Sequence, residues 1–154
     1  MKISDILSLE RINCAVSPAS KKRALEDVGA LLLNADASLT QGEIFDSLLS
    51  RERLGSTGLG HGVAIPHGRV NSATTTIGAF MQLEQAIDFD AIDGKPVDLV
   101  FGLLVPAEST DEHLQILAQL AKMFSDDNFC EELRQAKNNQ ELYTLLSNWQ
   151  AATE

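Results

Sequence analysis

Between Arg51 and Arg69 the chain reads RERLGSTGLGHGVAIPHGR. This stretch holds two of the three histidines, His61 and His67, and five of the ten glycines. Three arginines against one glutamate give it a net charge of +2, inside a protein whose formal charge is −10. Imidazole titrates near neutrality, so a neutral nitrogen nucleophile is available at cellular pH. Glycine admits a bulky anion close to the backbone, and guanidinium grips phosphate oxygens through a forked pair of donors. These residue types together suit phosphoryl or other anion chemistry. His67 is the sharpest candidate. Val63-Ala64-Ile65 reads as a short strand, Pro66 stiffens its end, and Gly68 removes bulk beside the ring. One ring nitrogen would then face a docking partner while a hydrogen bond fixes the other. The competing reading is an ordinary surface turn histidine.

His113 is the second candidate. It is expected in the first turn of a helix that follows a buried strand, where helix amides favour anions and where α/β sheets place their ligands. Its plain alternative is a half-exposed histidine near a cap. Arg51 falls near a helix C-terminus, where a positive charge is favourable on structural grounds alone. Its functional role would be to hold phosphoryl oxygens. His61, between Gly60 and Gly62, reads equally well as a loop histidine.

The elements that must position these side chains follow from apolar spacing and caps. A short helix is expected near Ile3–Leu7 and a strand over Ile12–Val16. Ser17 before Pro18 predicts a helix start, and Ala24, Leu25, Val28, Leu31 and Leu32 form a stripe that carries the helix over Pro18–Leu33. Thr40 with Glu43 is a capping box for a second helix ending near Arg53. Strands are expected at Thr75–Leu83, around Ile87–Phe89, and at Val97–Val105, the last apolar on both faces except for Asp98. Asp93-Gly94-Lys95-Pro96 is turn chemistry. Ser109 with Glu112 predicts a capped helix to about Ser125, and further helices are expected near Asp127–Gln135 and Gln140–Trp149. The order implies one α/β domain over residues 1–154: a sandwich with a mixed sheet, parallel where helices intervene and antiparallel among the central strands.

Composition excludes several classes. From Ala107 to Glu154 nine acids face three bases, leaving no Lys/Arg-rich surface for nucleic acid. The longest apolar run, Leu99–Val105, is too short to cross a bilayer, and the start MKISDILSLE has no signal-peptide pattern. Cys14 and Cys130, far apart and in no CxxC spacing, suit a reduced cytoplasm as buried bystanders. The H-x5-H spacing of His61 and His67 matches no strong zinc pattern. GLGHG lacks the third glycine of a dinucleotide fingerprint, and there is no GKS/GKT phosphate loop or GxSxG elbow.

Glu52, Leu59, Gly60, Val63, Ala64, Ile65, Pro66, His67 and Gly68 together resemble the phosphorylation-site pattern of type-2 enzyme IIA domains of the bacterial sugar phosphotransferase system. The run AIDFDAIDGKPVDLVFGLLVPAESTDEHLQILAQLA is similar to that family's second half, with His113 at the place of its second histidine. Within the family the chain looks most like the nitrogen-branch regulatory members, through NCAVSPASKKRALEDVGALL and GSTGLGHGVAIPHGR. The resemblance implies an α/β fold of the IIA-mannitol/fructose kind, with a mixed sheet flanked by helices on both faces. It implies that His67 is phosphorylated on Nε2 by a small, HPr-like histidine phosphocarrier, with Arg51 and His113 lining the site and no role for His61. It further implies a cytoplasmic relay protein rather than an enzyme turning over a small molecule, with no cofactor and no metal. Regulated partners of the kind implied are potassium transporters or sensor kinases, with no membrane insertion. A sugar-specific IIA passing phosphate to a IIB domain is the alternative.

Overall fold

Strand β6 (Val97–Pro106) organises the molecule because it is apolar on both sides and can satisfy that only between two layers. In a computed structural model, which describes residues 2–35, 38–108 and 111–149, Leu99, Phe101, Leu103 and Val105 of β6 enter one core cluster. Val100 and Leu104 enter the other. The first cluster is completed by α1 (Ile3–Ile6), α4 (Asp111–Phe124), α5 (Asp127–Gln135) and α6 (Asn139–Asn148). The second is completed by α2 (Lys21–Leu33) and α3 (Gln41–Glu52). Helices therefore cover both faces of a mixed sheet, and the α/β sandwich expected from the element order is what forms.

The sheet runs β1 (Ile12–Val16), β5 (Ile77–Ile87), β6, β3 (Val63–Ala64) and β2 (Gly58–Gly60), with β4 (His67–Val70) also paired to β6. β1 lies parallel to β5, and β3 and β4 lie parallel to β6. The long central pair β5–β6 is antiparallel, as the short connection between them allows. β2 and β3 form a tight antiparallel hairpin. His61 sits at its tip with φ 59°, flanked by Gly60 at φ 93° and Gly62 at φ 77°. Three successive left-handed residues explain two glycines there.

Several expected boundaries move. Helix α2 begins at Lys21, because the Ser20 hydroxyl, not that of Ser17, accepts from the Arg23 amide at 3.1 Å. The two strand segments expected between Thr75 and Phe89 are one strand, β5, with an irregular register between Gln82 and Ile87. Short strands β2 and β4 flank the strand-like Val63–Ile65 segment and had no apolar alternation to betray them. The last helix, α6, starts at Asn139 behind an Asn138 cap. Thr40 and Glu43 do form a reciprocal capping box. The Ser109 half of the other expected box lies outside the described residues. Cys130 is buried, whereas Cys14 is only half-buried and its thiol donates to Gln82 Oε1 at 3.0 Å.

Candidate functional site

His67 opens β4, and its backbone is set before its side chain is considered. The Leu103 amide donates to the Pro66 carbonyl at 2.9 Å, which seats the start of β4 on β6 in the register His67↔Leu103. Gly68 then lies against α3. A Cβ there would overlap the Ser47 hydroxyl and sit 3.0 Å from the Ser47 backbone, so any larger residue would push the strand off the helix. Because side chains alternate along a strand, His67 and Arg69 project to the opposite side from Gly68 and Val70, toward α4.

The imidazole of His67 is half-buried and gripped at both nitrogens. Nδ1 is 2.9 Å from the Ile65 carbonyl, which can only accept, so Nδ1 carries the proton. Nε2 is then the lone-pair nitrogen, and it accepts from Arg51 Nε at 3.2 Å. Arg51 comes from the last turn of α3 and also donates through Nη1 to the Gly55 carbonyl at 2.9 Å. Burial lowers the His67 pKa; the Ile65 carbonyl opposes the shift, and the Arg51 charge adds to it. Burial and the neighbouring guanidinium groups thus favour the neutral ring, with its lone-pair nitrogen set as Nε2 by the two hydrogen bonds.

His113 occupies the first turn of α4 and is buried, 7% exposed. Its ring centroid stands 5.3 Å from that of His67. Its Nδ1 is buried and has no hydrogen-bond partner among the described residues. Burial, followed by His67, Arg69 and Arg51, pushes its pKa down to about 4. Two neutral imidazoles, two guanidinium groups and a helix start thus converge on an open cleft of about 660 Å³, lined also by Ser47, Ser50 and Asn71. A second, more apolar groove, with Leu59, Ile65, Leu117 and Ala121 in its walls, meets the cleft at Arg51 and His67. Such a site can receive an anion presented by another macromolecule, next to a neutral nucleophile and away from bulk solvent on one side only.

Three residues picked from the sequence, Arg51, His67 and His113, are brought together. His61 is not: its ring bonds Asp127 at 2.9 Å in a separate cleft with Asp98 and Arg134. Sequence reasoning missed Arg69, whose place on the His67 side follows only once β4 is seen to be a strand. It also missed the work of Glu52. That carboxylate is buried, accepts from the Thr57 amide at 2.8 Å and hydroxyl at 2.6 Å, and pairs with Lys21 at 3.0 Å. The network ties the segment after α3, and hence Arg51, to the start of α2.

A family model described as "Phosphoenolpyruvate-dependent sugar phosphotransferase system, EIIA 2" matches residues 5–149. The chain belongs to this family. It is 44% identical over 149 residues to a nitrogen regulatory protein of Escherichia coli (strain K12), covering 96% of this chain and 91% of that one. The crystal structure of nitrogen regulatory protein IIA-Ntr from Neisseria meningitidis superposes with a TM-score of 0.88 at 44% identity, over 94% of this chain and 98% of that one. The crystal structure of IIA mannitol from Escherichia coli superposes at TM-score 0.75 and 27% identity, over 91% and 98% of the two chains. As an EIIA type-2 chain it shares its mixed-sheet architecture with both branches. Among its described residues no helix is long and apolar enough to cross a membrane.

Proposed function

We propose that this EIIA type-2 chain is a phosphohistidine-carrying regulator: His67 accepts a phosphoryl group from a small, HPr-like histidine phosphocarrier, and partner proteins respond to whether it is loaded. The observation that carries the reading is the pair of hydrogen bonds that protonates Nδ1 and leaves Nε2 bare of hydrogen. The donor's phosphohistidine, protonated on its other ring nitrogen, docks over the cleft. The Nε2 lone pair of His67 attacks phosphorus in line as the donor's nitrogen–phosphorus bond breaks, and that electron pair stays on the donor as neutral imidazole. His67 keeps its Nδ1 proton, and the positive charge it gains is stabilised by the Ile65 carbonyl. Arg51 must release Nε2 for the attack, and its guanidinium then meets the equatorial oxygens. His113, neutral with its proton on Nε2, donates to another of them. Positioning and electrostatics do the work in such transfers.

Loading adds about two negative charges to the group. That offsets the charge of the two guanidinium groups, Arg51 and Arg69, beside an apolar groove, which is enough to make or break an interface. Partners of the potassium-transporter or sensor-kinase kind fit this use, and the likeness to nitrogen regulatory proteins supports it. The shared fold with IIA mannitol supports a second reading, onward transfer to a IIB domain. A purified mixture of donor, this chain and a sugar-branch IIB separates the two. Phosphate retained on this chain supports the regulator; rapid passage to IIB supports the second reading.

A further inference from the structure

Arg69 is exposed and, among the described residues, has no carboxylate partner; its side-chain bond is a long one, Nη1 to the Ala107 carbonyl at 3.3 Å. It nevertheless sits where its charge is felt at both rings of the cleft, depressing His67 and His113 alike. The β4 register explains the placement. Arg69 pairs with Val105 and projects on the His67 side of the strand, beside the end of β6 that leads toward α4. A guanidinium on a neutral carbonyl at that distance makes one long bond, whereas a phosphoryl group brings opposite charge and can take the guanidinium's forked donors in parallel. A dianion arriving on Nε2 of His67 would therefore compete for it successfully. Ala107 lies just beyond β6, and α4, carrying His113, starts at Asp111.

We propose that Arg69 is a second phosphoryl-binding guanidinium of this site, which leaves the Ala107 carbonyl for a phosphoryl oxygen when His67 is loaded and so reports loading to the segment entering α4. The inference rests on the phosphohistidine reading. Arg51 and Arg69 then clasp the group from α3 and β4, and the freed Ala107 carbonyl marks the loaded state on a surface a partner can touch.

The test loads wild type, Arg69→Ala, Arg69→Gln and Arg69→Lys from purified HPr-like carrier, following intact mass and the Glu108 amide resonance, which shares a peptide bond with the Ala107 carbonyl. Arg69→Gln keeps a donor for Ala107 but has no charge. It is expected to load about 10- to 100-fold more slowly, as Arg69→Ala does, whereas Arg69→Lys regains part of the rate. In wild type the Glu108 amide moves on loading; in Arg69→Ala it starts near the loaded position and moves little. Wild-type loading rates in both Arg69→Ala and Arg69→Gln, or an undiminished Glu108 shift in Arg69→Ala, would overturn the proposal. A wild-type chain that takes no phosphate at all would instead defeat the phosphohistidine reading beneath it.

Discussion

The two imidazoles of the cleft differ in what they are held to do. His67 has a donor on one nitrogen and an acceptor on the other, so its tautomer is set and its nucleophile chosen. His113 has a buried nitrogen with no partner among the described residues, a cost of about 1–3 kcal/mol that a folded chain keeps only where something else is gained. Its pKa of about 4, against an ordinary 6.5, ties that cost to pH. Between those values the unfolded chain binds a proton that the native state refuses, so stability falls as pH drops through the window. His67 is shifted the same way and adds to the effect. Urea unfolding at about pH 7 and about pH 5 is expected to show a loss for wild type larger, on the order of 1–2 kcal/mol, than for His113→Gln. Equal losses would contradict the burial of a neutral ring at this position. Loading of His67 should persist into mildly acid solution, since the neutral ring survives below the usual imidazole range.

At the level of elements, the site depends on how closely α3 approaches β4. Gly68→Ala is expected to cost about 1–3 kcal/mol by pushing strand from helix. Ser47→Ala in the same chain should restore only part of it, because the Ser47 backbone also blocks a Cβ. Thermal unfolding of the single and double variants checks this. Ser20→Ala should lower stability by about 1 kcal/mol through loss of the α2 cap, while Ser17→Ala should change little. That contrast bears on what the sequence made legible. β6 was readable because a doubly apolar strand has no other home, and α3 because Thr40 and Glu43 cap it reciprocally. Arg51, His67 and His113 were readable from residue chemistry. The start of α2 was not, because Ser17-Pro18 and Ser20 are competing caps and only packing chooses between them. β2 and β4 were invisible because glycine-rich strands carry no alternation. Glu52 could be matched to a family pattern, but its partners Lys21 and Thr57 are brought to it only by tertiary structure.

For the molecule as a whole, the sheet with two helical layers brings Arg51, His67, Arg69 and His113, scattered across α3, β4 and α4, into one cleft. Trp149 packs against the cluster formed with α4, α5 and α6, on the layer opposite α2 and α3. If residues 1–154 are one domain, Trp149 fluorescence and far-UV circular dichroism should trace a single coincident unfolding transition; separated midpoints would show that the layers melt independently. On a chain of formal charge −10, loading adds further negative charge at the cleft where Arg51 and Arg69 converge. Pull-downs with unloaded and loaded protein are expected to retain different partners, and identical sets would argue against a switch. The most direct measurement is nitrogen-15 and phosphorus-31 NMR of the chain incubated with phosphorylated carrier. One phosphoryl group bonded to Nε2 of His67, and none on the His67→Ala variant of unchanged fold, is the predicted result. Phosphate on Nδ1, on His113, or on the His67→Ala protein would contradict it.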